Sequence, residues 1–175
     1  TVLLGNHEVM ARDFLRRLTA EITDGNTASF DNDFLIELAI YKHNGGIPTI
    51  NRLIALPPDK QQRVLDFIDS LYAYEAIDIG DSTFVLVHAG LGNFRKDKKI
   101  SEYALYELLE LRPDYERQYF DDDSVYIVSG HTPTKLISGK WEIYHSHNNI
   151  VIDCGAAFGG RLACLRLEDM AEFYV

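Results

Sequence analysis

The apolar residues of this chain follow two different rhythms. In the first part they recur at helical spacing. Val9, Met10, Phe14 and Leu18 fall on one face of a helix expected over about Val9–Leu18, entered from a short apolar strand, Val2–Leu4. A polar loop, GNTASFDND, leads to a second expected helix over Phe34–Lys42, with Asp31 or Asp33 as its cap and Gly45-Gly46 as its end. Pro57-Pro58 opens a third, about Asp59–Tyr72, with Val64, Leu65, Ile68 and Leu71 on its apolar side. The pattern then shortens to strand-like runs. AYEAIDIGD and STFVLVHAG read as a hairpin turning at Gly80-Asp81. A helix is expected over Ser101–Leu111, ended by Pro113. SVYIVSGH, NNIVIDCG, RLACLRLED and AEFYV then give four more strands. Helices come first and strands dominate afterwards, which describes a mixed α/β (α+β) fold whose sheets are covered by helices. Without repeats or linkers, residues 1–175 are expected to form one domain.

Composition narrows the function. With 175 residues, 46% of them hydrophobic, the chain can bury a real core. No window approaches about 18 consecutive apolar residues, and no signal-peptide pattern is visible. The net charge of −10 argues against nucleic acid or an anionic membrane as partner, and is compatible with a small phosphorylated substrate held by a few arginines. Cys154 and Cys164 sit in apolar runs and read as buried free thiols, which suits a reducing cytoplasm.

Three apolar runs each end in a glycine-flanked turn that carries a metal-capable side chain: LLGNH, VLVHAG and VSGH. In open α/β sheets ligands lie beyond the carboxyl ends of the strands. If the three strands share a sheet, Asn6, His88 and His131 converge. Two imidazoles and an amide carbonyl suit a divalent metal, although such a set needs at least one carboxylate to hold manganese or iron firmly.

LLGNHE, VHAGL and SGHTP, in this order and separation, resemble the last three motifs of the calcineurin-like metallophosphoesterases. Within that superfamily they look like the bacterial and phage Ser/Thr protein phosphatases, with symmetrical dinucleoside-tetraphosphatases as near relatives. IVIDCGAAFGGRLACLRLED is similar to the closing strands of that family. The resemblance implies a two-sheet sandwich flanked by helices. It makes Asn6, His88 and His131 ligands of the second ion of a two-metal centre, His7 the general acid and Arg112, in LLELRPDY, a phosphate-binding residue. Two divalent ions are implied, manganese first, with iron or zinc as alternatives. They would activate a bridging hydroxide for in-line attack on phosphorus. The implied enzyme is a hydrolase of phosphomonoesters, with phosphoserine or phosphothreonine in proteins as its leading substrate. A dinucleoside tetraphosphate or other nucleotide is the alternative.

The family's two earlier motifs, D-x-H-G and G-D-x-x-D-R-G, do not occur in residues 1–175. The chain is therefore expected to be an N-terminally truncated domain, inactive by itself because half of the metal site is missing. A non-catalytic scaffold serving as an interaction module is the alternative of another class. The expected partner is a phosphoprotein or small phosphorylated substrate, with neither nucleic acid nor membrane. Other residues read as structural: His145 and His147 as exposed turn residues, His43 at a helix end, Asp153 as a strand-end hydrogen-bonding residue, and Asp121-Asp122-Asp123 as a solvated loop. The tyrosines Tyr103, Tyr106, Tyr115 and Tyr119 read as half-buried packing. Arg12, Arg16 and Arg17 form a solvated helix face, while Tyr41, Asn44 and Gly45 are weaker candidates for a substrate rim.

Overall fold

In the computed structural model, which describes residues 1–20 and 30–175, the helical rhythm becomes α1 (Asn6–Thr19), α2 (Asn32–His43), α3 (Ile47–Ile54) and α4 (Pro58–Asp69). Residues 21–29, with most of the expected polar loop, lie outside the described residues. Contacts divide the chain into two units, Val2–Leu71 and Tyr72–Val175 with Thr1.

In the first unit, α1 starts earlier than its apolar spacing implies. The Gly5 N–H donates to the Glu8 carboxylate at 3.0 Å, so Glu8 caps the helix from inside its first turn and Asn6 and His7 are already helical. The run Val2–Leu4 is not a strand; only Leu3 is a bridge residue, and Val2 is exposed. Asp31 caps α2 by accepting from the Phe34 N–H at 3.0 Å. The helix α3 is not among the elements expected from the sequence, where Gly45-Gly46 reads only as the end of the helix before it. Proline is tolerated in a first turn, and there Pro48 starts a helix that buries Ile50 and Leu53. α4 stops at Asp69, short of Tyr72: the Ser70 N–H bonds back to Asp66 and its hydroxyl donates to the Phe67 carbonyl at 2.7 Å. The four helices enclose Ala11, Phe14, Leu15, Phe34, Tyr41, Ile50, Leu53 and Leu65. Arg16 pairs with Asp69 and Arg17 with Glu37, so these two arginines tie α1 to α4 and α2 rather than standing free in solvent.

The second unit is built on β1 (Tyr74–Ile79), β2 (Ser82–Val87), β3 (Val125–Ser129), β4 (Tyr144–Ser146) and β5 (Asn149–Val151), in the order β1-β2-β3-β5-β4. The hairpin β1–β2 is antiparallel and turns at Gly80-Asp81, while β2–β3 and β3–β5 are parallel. Strand alternation sends Phe84 toward Val128, Ile143, Ile150 and Cys154, while Val85 and Val87 are buried on the opposite face. A ribbon of β6 (Ala163–Arg166) and β7 (Ala171–Tyr174) packs Leu165 and Tyr174 against the first of these cores, giving a second small sheet.

Three expectations change here. The helix over Ser101–Leu111 is a 3-10 turn, Ile100–Glu102, followed by α5 (Leu105–Leu109). Tyr103 and Ala104 are extended between them, and the Glu107 carboxylate restarts the helix by accepting from the Ala104 N–H at 2.8 Å. His145, expected in a polar turn, lies instead on β4, a three-residue edge strand paired with β5. Cys154 is buried, but Cys164 is exposed, because the ribbon turns its alternate residues to solvent. A short α6 (Lys135–Ser138) follows SGHTP. The chain is thus a mixed α/β protein, and among the described residues no helix is long and apolar enough to cross a membrane.

Candidate functional site

Because β2 and β3 are parallel neighbours, with Leu86 opposite Val128, both chains leave the sheet at the same edge. The Gly130 N–H donates to the His88 carbonyl at 2.8 Å and carries the pairing one step beyond the strands. The His88 and His131 rings end with centroids 5.0 Å apart and planes inclined at 62°. His131 has φ of +61°, a left-handed conformation that a side chain with a Cβ adopts only when its surroundings hold it there. The tight turn around it closes through the Thr132 N–H to the Gly130 carbonyl, and the Tyr115 hydroxyl donates to Thr132 Oγ1 at 2.7 Å in a buried contact.

Arg112 reaches the same edge by a close backbone approach. The Ala89 N–H donates to the Leu108 carbonyl at 2.8 Å and the Gly92 N–H to the Glu107 carbonyl at 3.0 Å. Between them Gly90 has φ of +127°, and a Cβ there would lie 2.6 Å from Pro113 Cγ. Only glycine fits. The turn after β2 and the segment carrying Arg112 are thereby locked together, and the exposed Arg112 lies near enough to act electrostatically on both His131 and Tyr115.

A third strand end meets this group. Ile152 N–H donates to the Ser129 carbonyl and Thr134 N–H to the Asp153 carbonyl, each at 2.8 Å, so Asp153 follows β5 much as His131 follows β3. Its charge acts on His131 and Tyr115 alike. Asp153 takes the strand-end hydrogen-bonding role that its position after an apolar run implies. Asp153 Oδ1 accepts from the Gly155 N–H at 2.9 Å, which turns that oxygen back onto its own loop.

Burial, and then the Arg112 guanidinium, hold the His131 imidazole below its ordinary pKa of 6.5, against the Glu110 backbone and the Asp153 and Glu110 carboxylates. Folding therefore favours the neutral ring. Between the lowered value and 6.5 the unfolded chain binds more protons, so this contribution is complete above pH 6.5 and is lost as pH falls through the window. His131→Gln is expected to flatten the loss of stability between about pH 7.5 and about pH 5.5 in urea titrations. A parallel loss in both proteins would exclude His131 as its source.

Asn6 and His7 belong to the other unit and stand together in the first turn of α1, with His7 exposed. His7 and Glu8 border a cleft of about 450 Å³ whose walls include Tyr41, Gly46, Thr49 and Phe67. The helix terminus there carries the positive end of its dipole.

As a metal site, the donors in the sheet unit are incomplete. His88 and His131 offer two imidazoles, but among the described residues no group of three His, Cys, Asp or Glu could hold an ion. Two imidazoles alone do not make a two-metal centre, and further donors, a carboxylate among them, would have to complete it. His145 and His147, of the same unit, stay outside this group. His145 Nε2 lies 2.8 Å from Glu172, and His147 sits at a turn with φ of +48°. Of the acidic run, Asp122 caps the entry to β3 through the Ser124 N–H and hydroxyl, and Asp121 pairs with Lys96.

Mixed sheet, parallel strands ending in paired histidines and an arginine beside them define an α/β protein with an anion-compatible polar edge. No family model matches the chain. The curated proteins it resembles are phosphohydrolases. An asymmetrical bis(5'-nucleosyl)-tetraphosphatase PrpE of Bacillus cereus (strain AH820) is 27% identical over 179 residues, covering 93% of this chain and 69% of the relative. Those of Bacillus thuringiensis (strain Al Hakam) and Bacillus anthracis (strain A0248) are 30% identical over 138 residues, covering 70% of this chain and 52% of each relative. The chain thus spans about half the length of the latter two. These names fall on the dinucleoside-tetraphosphatase side of the resemblance rather than the protein-phosphatase side.

Proposed function

We propose that this chain is part of a metallophosphoesterase that hydrolyses dinucleoside polyphosphates. The observation that carries the reading is the His88–His131 pair at adjacent parallel strand ends, with Arg112 acting on the same point. Arg112 has the chemistry to bind phosphoryl oxygens in a fork and to oppose charge that builds during displacement. His88 and His131 would supply imidazole ligands to a divalent ion, with manganese the first to test and iron or zinc next. The ligand role of Asn6 and the general-acid role of His7 belong to the same proposal. The similarity to asymmetrical tetraphosphatases favours this substrate over phosphoserine and phosphothreonine.

The test uses protein from the complete reading frame, supplied in turn with manganese, iron and zinc salts and with diadenosine tetraphosphate. An asymmetrical cut splits the tetraphosphate into equal amounts of ATP and AMP. ADP as the sole product would mean symmetrical cleavage. Phosphate release from a phosphoserine peptide with no cleavage of the tetraphosphate would return the substrate to phosphoproteins. Inactivity on both would favour the interaction module.

A further inference from the structure

Two loops of the sheet unit gather aromatic rings outside its cores. Phe94, on the turn after β2 and His88, meets Tyr119 at 4.8 Å and Phe120 at 6.0 Å, both with planes at 90°. Tyr119 is the fixed member. It is buried, its hydroxyl donates to the Asp114 carbonyl at 2.9 Å, and burial pushes its pKa up to about 12, so the phenol stays neutral. Phe94 and Phe120 are only half-buried. The Arg117 guanidinium lies over the Phe94 ring at 5.1 Å and over Tyr119 at 5.6 Å. A hollow of about 120 Å³ opens between the three rings, Lys96 and Asp121. At its rim Lys96 Nζ meets the two Asp121 carboxylate oxygens at 2.7 and 2.9 Å.

Packing alone does not account for this arrangement. An exposed Lys–Asp pair adds little to stability, and half-exposed aromatic rings under a guanidinium forgo much of the benefit of burial. The same groups are what a nucleobase needs: aromatic faces for stacking, a delocalised cation beside them, and a donor and an acceptor at one edge. Both walls belong to the segments that leave the polar edge of the sheet. Phe94 follows His88 and Gly90 along one, and Tyr119 and Phe120 follow Arg112 and Tyr115 along the other. Asn149 at the start of β5 steadies the second wall by donating to the Arg117 carbonyl at 2.7 Å.

We propose that the hollow among Phe94, Tyr119 and Phe120 receives a purine base of the nucleotide substrate. The inference rests on the dinucleoside polyphosphate reading of the neighbouring site. The purine stacks on the exposed phenylalanine faces. Its edge meets the Lys96–Asp121 pair, with the adenine amino group donating to the carboxylate and a ring nitrogen accepting from the ammonium group.

The experiment compares the wild type with Phe94→Ala and Phe94→Leu, the second keeping an apolar side chain should the first unfold. With diadenosine tetraphosphate, both variants are expected to show a KM raised about tenfold, with the effect in KM rather than kcat. Calorimetric titration provides a readout without catalysis: the wild type binds AMP more tightly than ribose 5-phosphate, and Phe94→Leu loses that difference. An unchanged KM and an unchanged preference for AMP in Phe94→Leu would overturn the base site. Should the wild type not cleave the tetraphosphate, the functional reading fails by itself. The AMP titration then decides the hollow alone, and equal binding of the two monophosphates would reject it.

Discussion

Replacing Arg112 by alanine is expected to lower kcat for diadenosine tetraphosphate about a hundredfold while leaving the fold intact. Removing one preorganised charge-stabilising group from a transition state costs about 10²–10³ in rate. Arg112 is positioned for such a role: it is exposed, and its segment is pinned by Pro113 against Gly90. Stability should change little, since exposed side chains away from the core contribute within about 0.5 kcal/mol. Arg112→Lys restores the charge without the planar fork and is expected to recover only part of the rate. A second readout does not depend on turnover. The guanidinium is one cause of the lowered His131 pKa, so in Arg112→Ala the His131 ring should titrate closer to its ordinary value by NMR. Wild-type kcat in Arg112→Ala, with an unshifted His131 titration, would remove the arginine from the site.

What could be read in advance follows from how local each feature is. The hairpin at Gly80-Asp81 and the strands bearing His88 and His131 are coded by contiguous apolar runs with polar ends, and the structure pairs them as neighbours. Their convergence was legible only on the condition that the runs share a sheet; that β2 and β3 are parallel neighbours is set by long-range pairing. α3 was not legible, since Pro48 carries the same sequence signal whether it stops one element or starts another. The helix over Ser101–Leu111 broke because Glu107 bonds Ala104 and Lys98 together, a choice set by side-chain partners rather than apolar period. Val2–Leu4 shows the converse: apolar spacing does not make a strand where only one residue finds a bridge. The loop hydrogen bond of Asp153 is local and was legible, whereas its proximity to His131 depends on β5 lying beside β3, which no local pattern encodes. The aromatic hollow needed two loops brought together across long sequence separation, which no periodicity encodes.

Phe14→Ala is expected to be the most damaging single change in the helical unit, destabilising it by about 3–5 kcal/mol. Phe14 is fully buried, with its ring 4.8 Å from that of Tyr41 and with Ala11, Leu15, Phe34 and Leu65 in the same core. Its removal leaves a cavity that neighbours on separate helices cannot fill without moving. That loss is a large part of the stability of an ordinary domain. α1 has little else to hold it. A helix of 14 residues is marginal in water by itself, and the half-exposed pairs Arg16–Asp69 and Arg17–Glu37 are worth little. The apolar face of α1 therefore fixes the helix whose first turn presents Asn6 and His7, which makes a core residue a condition for the geometry of the polar ones. Urea unfolding should show the shift. Phe67→Ala, at a half-exposed ring bordering the cleft beside His7, should stay within about 1 kcal/mol of the wild type. Amide exchange gives a local measure, with the α1 amides of Phe14→Ala opening before those of the β2–β3 pair. A change below about 1 kcal/mol in Phe14→Ala would show that this face does not anchor α1, and that its first turn is held by other means.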